Sequence, residues 1–154
     1  MKIAILGSGQ RAIESASYFN QLGAQVRVFK FSKSWGGALA KVDSSDLELL
    51  DVNWSLLINP SSLELLGSEV SQTQISNSKD YIKYLQNVGS KLEELGLVKK
   101  GQVKRVHKRF LNPNTNLGQR SRLADLFRVV YKIDADEQIE KQREENSEVF
   151  AKLG

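Results

Sequence analysis

The chain has 154 residues, 40% hydrophobic and 26% charged, a globular mixture of the size of one domain. It has no cysteine and one histidine, which excludes disulfides and dithiol chemistry and nearly excludes a structural zinc site. The net charge of +4 is unevenly placed, because nine Lys and Arg from Lys99 to Arg128 face one acid, Asp125. A block of that kind can attract phosphate, nucleic acid or an acidic partner, and is more often a solvated face. It lacks the interleaved aromatics of a single-strand binder, so nucleic acid is not the expected partner. No long apolar run and no signal-peptide pattern is present, so a soluble, cytoplasmic chain without a membrane partner is expected.

Lys2 to Leu6 (KIAIL) is a short apolar run, as expected for a parallel strand covered on both faces. Arg11 to Leu22 carries Ala12, Ala16, Phe19 and Leu22 at helical spacing, and Gly23 supplies the stop. Gln25 to Phe29 (QVRVF) alternates as a second strand. Together they predict a βαβ unit, and with it a Rossmann-like α/β parallel sheet. Ser45 with Glu48, and Ser61 with Glu64, have capping-box spacing, and Pro60 fits a helix entry. Ser68 to Ser78 reads as a polar connection. Tyr81, Leu85, Val88, Leu92 and Leu95 predict an amphipathic helix ending at Gly96. Val103 to Val106 and Leu126 to Ile133 read as strands, with Asn112 to Gly118 as an exposed turn. Asp136 to Leu153 reads as a surface helix by composition, with Glu140, Glu144 and Glu148 on one solvated face.

Chemistry concentrates near the N-terminus. Gly7-Ser8-Gly9-Gln10-Arg11-Ala12 is a G-x-G-x-x-A sequence between a strand and a helix. Gly7 permits the tight turn, and Ala12 lets the helix approach the strand. Gly9 is expected with its Cα toward a diphosphate, so that any Cβ would occupy ligand space. The free amides and positive dipole end of the helix would then hold that diphosphate. After the second strand come Gly36 and Gly37, in FSKSWGGAL.

The two glycine motifs together resemble the flavoprotein superfamily with two dinucleotide-binding domains. That group includes flavin monooxygenases, amine oxidases and pyridine-nucleotide-disulfide reductases. The resemblance spans residues 1 to about 40. It implies FAD as cofactor, with Gly7, Ser8, Gly9, Gln10, Arg11 and Ala12 at the diphosphate and Gly36 and Gly37 against it. It also implies that the Val103 backbone meets the adenine. One residue departs from the family's pattern: Lys30 stands where the family carries an acid toward the ribose. An ammonium can only donate hydrogen bonds, so the adenosine end would be held differently. Alternatively Lys30, Arg11 and Lys33 would meet a 2′-phosphate and favour NADP.

Trp35 could cover the cofactor or simply pack. His107 reads as a surface residue, and Ser8 has no histidine partner for nucleophilic work. No acid, base or nucleophile stands out as catalytic, and no metal ligand is expected. No second glycine fingerprint follows a strand. The expectation is one dinucleotide-binding domain over 1–154, the N-terminal part of a longer FAD-dependent, NAD(P)H-linked oxidoreductase that lacks a C-terminal domain or partner. Such a chain would be inactive alone and would need an unidentified small-molecule substrate. The alternative is a non-catalytic NADP- or nucleotide-sensing module.

Overall fold

The apolar run KIAIL and the alternating QVRVF lie side by side as parallel strands, β1 (Lys2–Leu6) and β2 (Gln25–Lys30), with Ile3 against Val26 and Ile5 against Val28. The computed structural model describes residues 1–67, 74–109, 126–133 and 145–151. Between the two strands runs α1 (Gln10–Gln21), which buries Ala12, Ile13, Ala16 and Ser17 along one face. Its end is set by backbone chemistry. The Leu22 amide donates to Tyr18, and Gly23 takes a φ of +84° that other residues rarely adopt. Short helices α2 (Gly37–Lys41) and α3 (Ser44–Glu48), a 3₁₀ turn (Trp54–Leu57) and α4 (Pro60–Leu66) lead to the long α5 (Ser78–Glu94). That helix buries Tyr81, Tyr84, Leu85, Val88 and Leu92, as its periodicity predicts.

β3 (Val98–Arg109) passes from one sheet environment to another. Its first residues pair in parallel with β2, Val28 to Val98 and Lys30 to Lys100. From Gly101 onward it pairs antiparallel with β4 (Leu126–Ile133), which pairs antiparallel with β5 (Glu145–Ala151). Among the described residues the order is β1-β2-β3-β4-β5. Alternation along β2 then separates two cores. Val26 and Val28 pack with Ile13, Trp35, Leu85, Val88 and Leu92 on the helical side. Phe29 turns the other way and packs with Val129, Tyr131 and Phe150. The antiparallel strands therefore cover the sheet face that the helices leave open.

Several expectations change. The surface helix over Asp136 to Leu153 is not formed at 145–151, which is β5, so Glu148 lies in a ladder opposite Val129 and not on a helix face. Helical composition there is weaker than the ladder to β4 and the aromatic site that takes Phe150. The strand expected at Val103 to Val106 extends over all of β3. Neither capping box forms, because Asp43 and Asn59 are the N-caps and accept from the amides of Ser45 and Ser61. Asp and Asn are at least as good caps as Ser, and Pro60 fills the first helical position beyond Asn59. The turn expected at Asn112 to Gly118, with Glu140 and Glu144, lies outside the described residues.

Candidate functional site

The glycine-rich turn follows from the way β1 ends. The Gly7 amide donates to the Phe29 carbonyl at 3.0 Å, so the ladder continues one residue beyond Leu6 before the chain turns. Gly7 makes that turn with a φ of +133°, a conformation that favours glycine. A Cβ on Gly7 would lie 3.6 Å from the Ala12 Cβ, so a small residue at 12 keeps helix and turn in contact. Gly9 is the N-cap of α1 and offers no side-chain cap. The amides of Gln10, Arg11 and Ala12 then have no intrahelical acceptor, and they lie at the positive end of the helix dipole.

The second glycine pair folds onto the first. The Gly36 amide donates to the Ser8 carbonyl at 2.9 Å. Gly37 has a φ of +57°, and a Cβ there would stand 2.8 Å from the Gly9 Cα. Gly36, at a φ of +112°, would clash with Ala40 at the same 2.8 Å. Gly7, Ser8, Gly9, Gly36 and Gly37 thus form one backbone-lined surface, with Gln10, Arg11 and Ala12 opening the helix beneath it. The sequence expectation for Gly9 is corrected in one respect. A Cβ on Gly9 would point at the Gly37 Cα, at an ordinary 3.7 Å, so this hydrogen is directed at the other loop.

Lys30 ends β2 as the sequence placed it, yet its ammonium does not project into the open. The residue is 3% exposed, and its Nζ donates to the Lys33 carbonyl at 2.9 Å. It also lies 3.7 Å from Glu93 Oε1 and 5.1 Å from the Trp35 ring centre. Trp35 is packed, with its Nε1 donating to Glu93 Oε1 at 2.8 Å. Its indole occupies a notch on α5 at Gly89, where a Cβ would come within 2.3 Å of the ring. Arg11 and Lys33 are exposed. Val103 lies on β3 and packs into the second core with Phe29, with its backbone opposite Tyr131. His107 is exposed, as expected.

Sequence reasoning passed over Gly89 and Glu93. A glycine inside a strong helical pattern is unfavourable by about 1 kcal/mol relative to alanine, and that was the available signal for a packing role at Gly89. Nothing in the sequence marks Glu93. Behind α1, Gln10 donates to Glu14 at 3.4 Å, and burial raises the Glu14 carboxyl above its ordinary value despite that bond. Burial, and then the Glu14 charge, push the Tyr81 hydroxyl up as well.

A parallel βαβ unit with a glycine turn at the carboxyl end of β1 and helices on one face defines an α/β chain of Rossmann-like fold. The chain is similar in structure to S-allyl-L-cysteine S-oxygenase from Allium sativum, with a TM-score of 0.50 and 17% identity. The match covers 97% of this chain and 34% of that one, so the likeness is one of fold over a part of that enzyme's length. No family model and no curated protein matches the sequence. Among the described residues no helix is long and apolar enough to cross a membrane.

Proposed function

We propose that this chain is the cofactor-binding portion of a flavin-dependent, NAD(P)H-linked oxidoreductase. The observation that carries the reading is the contact between the two glycine loops at Gly9 and Gly37, made over an uncapped helix N-terminus. Such a surface suits a diphosphate. It presents backbone amides at the positive end of a helix, and glycine at 7, 9, 36 and 37 lets the two loops close on each other beside them. Gly7 to Ala12 would hold the FAD diphosphate, with Gly36 and Gly37 against it, and the Val103 backbone would meet the adenine. The flavin would supply the redox chemistry, while these residues bind and orient it. The structural neighbour is an S-oxygenase, and its greater length is in keeping with a further domain or partner that contributes the substrate site. Exposed Leu49, Leu50, Leu56 and Leu57 are in keeping with a surface that such a domain covers.

The second reading, an NADP- or nucleotide-sensing module, draws on Arg11 and Lys33, which are exposed cations near the loops. Lys30 lends it no support, since its ammonium is already engaged. Calorimetric titration with FAD, NAD, NADP and ADP tests both. The proposal expects FAD to bind tightest and to remain with the protein, yellow, through gel filtration. NADP binding tighter than NAD, weakened by Lys33→Glu, would favour the module. Binding of none of the four would overturn both.

A further inference from the structure

We propose that Glu93, on the last turn of α5, is a positioning residue that seats the segment Trp35 to Gly37 against Gly9. The inference rests on the dinucleotide reading above for its functional consequence. Its structural basis is independent of any ligand.

Three elements converge on this one carboxylate. Trp35 Nε1 donates to Oε1 at 2.8 Å from the loop after β2. Lys30 Nζ stands 3.7 Å from the same oxygen at the end of β2, and Lys100 Nζ stands 3.7 Å from Oε2 on β3. One turn earlier on α5, Gly89 leaves the space that the indole fills. The Lys30 ammonium lies over that indole at 5.1 Å and also holds the Lys33 carbonyl. The loop is thus fixed by an aromatic ring in a notch, a hydrogen bond at its edge and a buried cation across its face. Gly37 is two residues from Trp35, and its backbone rests on Gly9. Close-packed backbone transmits small shifts, so displacement of the indole carries Gly37 away from the first loop. Loss of Glu93 also leaves Lys30, with a side chain 4% exposed, without its carboxylate.

The test uses the full chain, with Glu93→Ala, Glu93→Gln and Gly89→Ala. In nitrogen-labelled, ligand-free protein the two tryptophans give two indole N–H signals, and Trp35→Phe identifies one of them. Glu93→Ala is expected to move the Trp35 indole signal and the Gly36 and Gly37 amides, and to leave Trp54 in place. The same variant should raise the FAD dissociation constant about tenfold. Glu93→Gln keeps an oxygen that accepts from the indole, and should restore most of that loss. If Glu93→Ala fails to fold, Gly89→Ala decides the matter, because it displaces the indole with Glu93 intact and should move the same glycine amides. Unmoved Gly36 and Gly37 amides would overturn the proposal. So would moved amides with FAD affinity within about twofold of wild type. Should wild-type protein bind neither FAD nor NADP, the dinucleotide reading falls, and the amide signals still decide whether Glu93 seats the loop.

Discussion

Gly9 and Gly37 face each other, yet they tolerate substitution differently. Gly9 has a φ of −85°, and a Cβ there would meet the Gly37 Cα at an ordinary 3.7 Å, so Gly9→Ala is expected to reduce stability by no more than about 1 kcal/mol. Gly37→Ala combines a φ of +57° with a Cβ that meets backbone at 2.8 Å. Its conformational penalty alone is about 1–2 kcal/mol, and the clash adds to it. Urea denaturation of the two variants checks the order, and equal losses would contradict the contact as described. Glu14 makes a second residue-scale prediction. Burial holds its carboxyl above its ordinary 4.5, so the folded chain keeps that proton to higher pH than the unfolded chain does. The group's contribution to stability is intact below pH 4.5 and is lost as pH rises through the folded value. Glu14→Gln is neutral throughout, and should be more stable than wild type at neutral pH, with the difference closing in acid. Denaturation midpoints at both pH values check the sign.

At the scale of elements, β1, α1, β2 and α5 were legible because each carries its own period and its own stop, as at Gly23 and Gly96. β5 was not. Its residues 145–151 contain Glu145, Asn146, Ser147 and Glu148, which say nothing locally of a strand, and only pairing with β4 makes them one. Phe150 is what that pairing delivers, since it lies 2% exposed against Phe29, with ring centres 5.7 Å apart at 80°. Phe150→Ala should therefore destabilise by about 3–5 kcal/mol, read from chemical denaturation. The glycine motifs were legible as spacing. Their mutual contact, the partners of Lys30 and the Gly89 notch were not, because each depends on which residues of α5 the fold brings under the loop.

In the whole molecule, β2 joins the two cores. One face of it meets the helices and the other the antiparallel strands, while its end bears the loop that closes on Gly9. The chain matches 34% of the length of the S-oxygenase whose fold it shares, and in the proposed function it binds cofactor without completing a reaction. Mixed with NADPH and an artificial electron acceptor, it should show no turnover, and steady oxidation of NADPH would remove that statement. The most direct measurement is a titration of nitrogen-labelled protein with FAD, followed amide by amide. The account predicts that the signals of Ser8 to Ala12, Gly36 and Gly37 move together and saturate with one binding constant. Shifts confined to the basic strand residues Lys99 to Arg105, with the glycine loops unmoved, would contradict it.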